Sequence, residues 1–443
     1  METFKSIYLQ EKEIDYFAEL VGRVNPRLEV LQKVHCRVNA NSKLRRDMGF
    51  DYYDTSGFVY CDSKDEEDAP YDSENEEGVP ESAIFTRTIH GLFDVLGRGN
   101  ENTRRPLSLT IEVAYPDDAL EPPGYTERFL RFVRIDGHQK TLKSLMNVDS
   151  FTISNSYRAV HPAAASKILE ALPRVRSVDI PLEERGPQSF MAAQFHLPHV
   201  HAISSLLEAT TRFTTLEKLT LHNTLPYPLA GINPALHKLS QSAPLIALEL
   251  FGGWFLSPAL FWPSRTSRPA AEPFWPSLQY LHVSANLRFP DTDSVIGGCD
   301  FLRQDEVRNY EVYTPYGLID PMAFSYLVLS ISRATLQMPA LRALVVGITP
   351  GTNNRLCQND GDHAIWIECL GSGEKSVLMK YKRETMGDQM SDEAKSQVHR
   401  RWRVCLVREV CWSPSQEIRG LWQQFVGPEG ITGVKYDPYL AVF

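Results

Sequence analysis

The chain has 443 residues, of which 43% are hydrophobic and 23% charged, and carries a formal net charge of -9 at pH 7. That composition suits a folded protein and excludes collagen-like, coiled-coil and wholly disordered classes. Ten acids and one lysine fall within 62–81, so the rest of the chain is near neutral and offers no basic stripe to a phosphate backbone; nucleic acid is not an expected partner.

The seven cysteines (Cys36, Cys61, Cys299, Cys357, Cys369, Cys405 and Cys411) are scattered, odd in number and without a Cys-x-x-Cys pair, so they read as free thiols. Met1 is followed by Glu, Thr, Phe, Lys and Ser with no apolar leader segment, which points to a reducing compartment, cytosol or nucleus. The most apolar stretch, 244–262, contains Glu249, Gly252, Gly253 and Pro258, and suits a strand and loop better than a membrane span. No membrane association and no cofactor are expected.

From the N-terminus, one spacing recurs: an apolar residue, two others, an apolar residue, one other, an apolar residue. Phe4/Ile7/Leu9 and Leu31/Val34/Cys36 open the series, with Ile14, Phe17 and Val21 at helical spacing between them. The acidic insertion 61–82 follows. Its like charges and sparse apolar residues predict a disordered loop, with Ser63 and Ser73 each placed three residues before a glutamate.

Phe85, Ile89, Leu92 and Leu96 predict an amphipathic helix, and the strand pattern resumes at Val148/Phe151/Ile153, Val175/Val178/Ile180 and Leu216/Leu219/Leu221. It continues through Leu245/Leu248/Leu250, Leu278/Leu281/Val283 and Leu341/Leu344/Val346, and the sets after Val175 are preceded by helical spacings such as Ile203/Leu206/Leu207, Ile232/Leu236/Leu239 and Phe324/Leu327/Val328/Ile331. Prolines at 173, 244, 276 and 339 stand one or two residues ahead of a first anchor, where they end the helix and start the extended segment. The shorter anchor spacings, 27 to 33 residues, match one strand and one helix per repeat. The 63-residue spacing from Leu278 to Leu341 requires an insertion at 286–320; Val307/Tyr310/Val312 repeats the pattern there, but the surrounding glycine, aspartate and proline residues read as a loop.

Beyond Gly347 the pattern stops. Strand-like runs at 364–370 and 377–383 flank Gly371-Ser372-Gly373 as a hairpin, and a third run covers 401–410. Ser413 is the expected cap of a closing helix, with Pro414 in its first turn, Gln416 completing the box, and Ile418, Leu421, Trp422 and Phe425 on its apolar face. The expected fold is therefore α/β: an irregular leucine-rich-repeat-like solenoid over 1–350, with a capping region of β-hairpin and helix over 351–443.

Several segments resemble, in order, those of fungal F-box proteins with degenerate leucine-rich repeats. They are TFKSIYLQEKEIDYFAELV, AIFTRTIHGLFDVL leading to RRPLSLTIEV, ALPRVRSVDI, SAPLIALELFGGWFLSPALFW, FWPSLQYLHV, MPALRALVV and RWRVCLVREVCWSPSQEIRGLWQQF. The resemblance implies a substrate-recognition module. In that family an F-box normally precedes the segment equivalent to residues 4–9 and docks on the Skp adaptor of a cullin ubiquitin ligase. This sequence has no Leu-Pro-x-Glu opening there, so a Skp-type partner depends on an F-box upstream.

No catalytic motif stands out, and an enzyme is not expected. His196, His199 and His201 flank Pro198 in what reads as a loop, and without nearby carboxylates or thiols they are surface histidines rather than a metal centre. Gly371 to Ser376 lacks the first glycine of a phosphate loop, and Cys357, Asp362 and His363 lie in a polar loop. A target protein of unknown identity is the expected partner, bound by residues between the paired apolar positions: Asp179, Thr220, Glu249, His282 and Val345, with neighbours Arg176, Lys218 and Tyr280. The competing possibilities are a ubiquitin-ligase substrate adaptor whose F-box is missing from this chain, and a small-molecule enzyme or accessory factor with its site in the loops at 286–320 and 351–363.

Overall fold

A computed structural model describes residues 5–23, 26–39, 80–98, 105–114, 135, 141–155, 160–182, 193–223, 232–255, 258–262, 272–286, 321–349, 365–376, 399–406 and 412–436. Among them, twelve strands form one open sheet in which neighbours in space are also neighbours in sequence. These are β1 (Ser6–Gln10), β2 (Lys33–Asn39), β3 (Leu107–Ala114), β4 (Val148–Asn155), β5 (Ser177–Pro181), β6 (Lys218–Asn223), β7 (Ala247–Phe255), β8 (Tyr280–Asn286), β9 (Ala343–Thr349), β10 (Ile365–Leu370), β11 (Arg401–Leu406) and β12 (Ile431–Tyr436). β1 to β9 are parallel throughout, β10 runs against both neighbours, and β12 is parallel to β11.

The connecting helices are α1 (Ile14–Arg23), α2 (Pro26–Val30), α3 (Pro80–Leu96), α4 (Pro162–Glu170), α5 (Ala193–Thr210), α6 (Ile232–Ser240), α7 (Pro258–Phe261), α8 (Pro321–Leu336) and α9 (Gln416–Val426). From α4 to α9 each helix packs on the next, so one sheet and one row of helices advance together. The fold is thus α/β, a mostly parallel sheet backed by helices. Proline opens several of these helices at a position whose N–H needs no partner, as Pro162 does in α4, where the His161 ring accepts from the Ala163 N–H at 3.2 Å.

The recurring apolar triplets set the register. Ile7, Val34, Leu109, Phe151, Val178, Leu219, Leu248, Leu281 and Leu344 lie side by side across nine strands. All but Ile7 are buried. Because side chains alternate along a strand, slipping one strand by a residue would turn its apolar set to the other face, so hydrophobic burial itself fixes the pairing. The predicted helix anchors, from Ile14, Phe17 and Val21 to Phe324, Leu327, Val328 and Ile331, are buried against this row.

The turns repeat as well. The N–H groups of Val175, Leu245 and Leu341 each bond to the carbonyl three residues earlier, at 3.2, 3.1 and 3.1 Å. One carbonyl at the start of each repeat then accepts two successive N–H groups of the next: Arg176 from Glu217 and Lys218, Glu217 from Ile246 and Ala247, Ile246 from Gln279 and Tyr280, and Gln279 from Arg342 and Ala343. Backbone satisfaction thereby passes from repeat to repeat, the condition for a stack in which each unit completes its neighbour.

Four expectations need correction. β3 was not among the predicted triplets because Pro106 occupies the position of its first anchor. Pro80, Glu81 and Ser82 belong to α3, not to the acidic insertion, whose remaining residues lie outside those described. The Gly371 hairpin does not form between 364–370 and 377–383: both edges of β10 are already paired, to β9 and β11, leaving no edge for 377–383. The cap of α9 is Ser415, whose hydroxyl accepts from the Ile418 N–H at 3.3 Å, and Val426 joins the buried face while Leu421 is half-buried. β8 pairs directly with β9 from end to end, so Val307, Tyr310 and Val312, outside the described residues, add no strand between them.

β7 contains an irregularity: Leu250 pairs with Val283 and Trp254 with Ala285, so the β7 chain bulges between them. Gly252 has φ of 96° there, and a Cβ would stand 2.0 Å from the Asn223 carbonyl oxygen, so only glycine fits. At the far end, Trp402 stacks on Trp422 at 5.5 Å, and the indoles of Trp412 and Trp422 donate to Ser325 and Ser332 of α8 at 2.8 and 3.0 Å. These contacts fasten α9 to α8 and β11.

Candidate functional site

On every strand the residue between two core anchors points away from the helices. The register therefore assembles Thr152, Asp179, Thr220, Glu249, His282 and Val345 into one transverse row. A second row carries Ser177, Lys218, Ala247, Tyr280 and Ala343, and a third brings His222 beside Phe251. Over β5 to β8 this face is open: the side chains of Lys218, Asp179 and His222 are 45%, 44% and 40% exposed.

The groups there engage one another. Lys218 Nζ lies 2.8 Å from Glu249 Oε2, and the Thr220 hydroxyl donates to that same oxygen at 2.9 Å. His222 Nε2 donates to Asp179 Oδ1 at 3.1 Å. Its ring stacks on Phe251 at 5.2 Å, and His282 meets the other side of Phe251 edge-on at 4.9 Å. Arg342 lies over the Tyr280 ring, 5.4 Å from its centroid, while its Nε donates to Glu374 at 2.7 Å.

Six of the eight expected contact residues thus share the open face: Asp179, Lys218, Thr220, Glu249, Tyr280 and His282. Two do not. Arg176 precedes β5 and sits at the rim where strands begin, bound to Glu217 at 2.6 Å with Asp149 at 3.8 Å, and these partners hold its guanidinium pKa above the ordinary value. It lines a cleft of about 510 Å³ with Glu217, Pro244, Ile246, Pro276 and Gln279. Val345 is only 2% exposed, and its neighbour on β10, Glu368, is buried as well, so this part of the row is covered.

The covered part has its own chemistry. Glu368 stands beside Val345 and across from Arg403, is 1% exposed, and accepts from the Ser376 hydroxyl at 2.7 Å and from the Trp366 indole at 3.2 Å. Arg401 donates to the Glu374 carbonyl. Residues 371–376, read from sequence as a turn, do turn at Gly373 with φ of 83°, and Ser376 is committed to a buried carboxylate rather than to a phosphate. Glu217, His222, Phe251, Trp366, Glu368 and Arg403 were not singled out from sequence. Within β6 and β7 the same two-residue period, extended one step past Thr220 and Glu249, finds His222 and Phe251.

Burial pushes the Cys36 thiol up to about 12, with Glu11 adding to the effect, and raises Cys369 well above its ordinary range against the opposing Arg400. Both thiols are protonated at neutral pH and are poor nucleophiles. His196, His199 and His201 fall in α5, a helix where a loop was expected, and His201 is exposed. Among the described residues no group of three or more His, Cys, Asp or Glu is placed to hold a metal ion, and no helix is long and apolar enough to cross a membrane. Cys357, Asp362 and His363, and nearly all of 286–320 and 351–363, lie outside the described residues. No protein-family model matches the chain, and no curated protein matches it.

Proposed function

We propose that the chain is a non-enzymatic protein-interaction module: an irregular leucine-rich-repeat-like solenoid, resembling the substrate-recognition part of fungal F-box proteins, whose contact surface is the open face of β5 to β8. The observation that carries this reading is the in-register row Asp179–Thr220–Glu249–His282, flanked by Lys218, Tyr280, His222 and Phe251 and standing on a sheet whose other face is fixed by a continuous core. Charged, hydroxyl and aromatic groups on rigid strands suit recognition of a protein surface, where a few such anchors dominate the affinity and little ordering is needed on binding.

The test is affinity purification of the tagged full-length chain from its own cells, beside the triple variant Lys218→Glu, Glu249→Lys, His282→Glu, with mass spectrometry of both samples. A protein recovered with the wild type and lost from an equally stable variant is expected; equal recovery from both would overturn the assignment of this face. Skp and cullin subunits in both samples would place the module within a ligase, attached through a surface other than β5 to β8.

A further inference from the structure

We infer that the protein segment bound on this face presents an arginine, held between Asp179 and Glu249 above Thr220; this rests on the binding role proposed for the face. The two carboxylates occupy one transverse row on β5 and β7, separated by β6. Strands lie about 4.8 Å apart, so the two backbones are roughly 10 Å apart, with the small, buried Thr220 as the floor between them. Glu249 accepts both Lys218 and Thr220 on Oε2, and Asp179 accepts His222 on Oδ1. Among the described residues, Glu249 Oε1 and Asp179 Oδ2 have no partner. Each carboxylate thus keeps one oxygen that no described residue binds, on side chains that are 26% (Glu249) and 44% (Asp179) exposed, beside the stacked rings of His222 and Phe251.

The complement of that arrangement is a flat cation with several donors. A guanidinium has five N–H groups in one plane and stacks on rings, whereas an ammonium is a compact point charge that would satisfy one carboxylate at a time. Among the described residues, an acidic group there would meet the two carboxylates beside a single lysine, Lys218, already bound to Glu249. The chain uses the same geometry on itself nearby: Arg342 lies over Tyr280 and binds Glu374. In the covered part of the same row, Glu368 has Arg403 across from it on the next strand. Among the described residues, none of the arginines binds Asp179 or Glu249.

The test is selection of a random 12-residue displayed peptide library on the full-length protein, followed by calorimetry of synthetic winners. Three proteins are compared: wild type, the near-isosteric Asp179→Asn/Glu249→Gln, and His282→Glu as a marker for the face; thermal melting confirms that all three are folded. The expected result is arginine-containing winners whose affinity falls about tenfold or more with Asp179→Asn/Glu249→Gln, the scale of a lost charge-assisted hydrogen bond, and falls again when the peptide arginine becomes lysine. Winners that lose affinity with His282→Glu but lack arginine, or ignore the carboxylate changes, would overturn the inference and leave the face as a binding surface. Winners indifferent to all the variants would overturn both.

Discussion

β5 to β8 and β9 to β11 belong to one sheet and share one row of outward residues, yet they treat polar groups in opposite ways. In β5 and β6 the core positions are buried and Asp179, Lys218 and His222 reach solvent. In β10 and β11 every residue is buried, including Glu368, Arg401 and Arg403. The difference follows from what lies above the sheet. Where the face is open, exposed ion pairs contribute little to stability and remain available to a partner. Where 371–376 crosses it, each charge must find hydrogen bonds inside the protein, and Ser376, Trp366 and the Glu374 carbonyl supply them.

The sharpest way to break this comparison is one substitution at two places in the same row. Glu368→Ala removes a buried, bonded carboxylate beside two buried arginines and is expected to cost about 3–5 kcal/mol in denaturant unfolding. Glu249→Ala, on β7, three strands before β10, and partly open to solvent, is expected to cost no more than about 1 kcal/mol. Similar values at both sites would remove the distinction.

Leu219→Ala, in the core row beneath the open face, is expected to cost about 2–5 kcal/mol by leaving a cavity, which separates the scaffold of β6 from its surface. Gly252→Ala forces a Cβ towards the Asn223 carbonyl at positive φ and is expected to lower stability by about 1–3 kcal/mol, read as a drop in melting temperature.

A pH effect sharpens the picture of the helical layer. Burial lowers the pKa of His237, partly opposed by its hydrogen bond to the Leu260 carbonyl at 2.8 Å. The unfolded chain therefore takes up a proton first, below the ordinary histidine value of about 6.5. Stability is full above that value and declines as pH falls towards the folded-state pKa. Unfolding midpoints at pH 7.5 and 5.5 are expected to differ more in wild type than in His237→Gln.

Much of the fold was legible because one force, burial of alternating apolar residues, set both strand identity and register. Val178, Leu219, Leu248, Leu281 and Leu344, picked out by spacing, are the residues that lie side by side. Pro106 hid β3 because a proline at the first anchor breaks the apolar spacing without breaking the strand. The open-face residues followed from the same alternation, but Val345 did not, since the alternation assigns a face and does not tell the covered part of the row, beside Glu368, from the open part. Glu368 and Arg403 escaped notice because a strand buried on both faces gives no alternation to read.

The most direct test measures Glu249→Ala and Glu368→Ala together for unfolding free energy and for recovery of the protein partner from cells. The expected result is that Glu249→Ala loses the partner at nearly unchanged stability, while Glu368→Ala loses stability. Full partner recovery with Glu249→Ala, or a stability loss there as large as at Glu368, would contradict the assignment of the open face to binding.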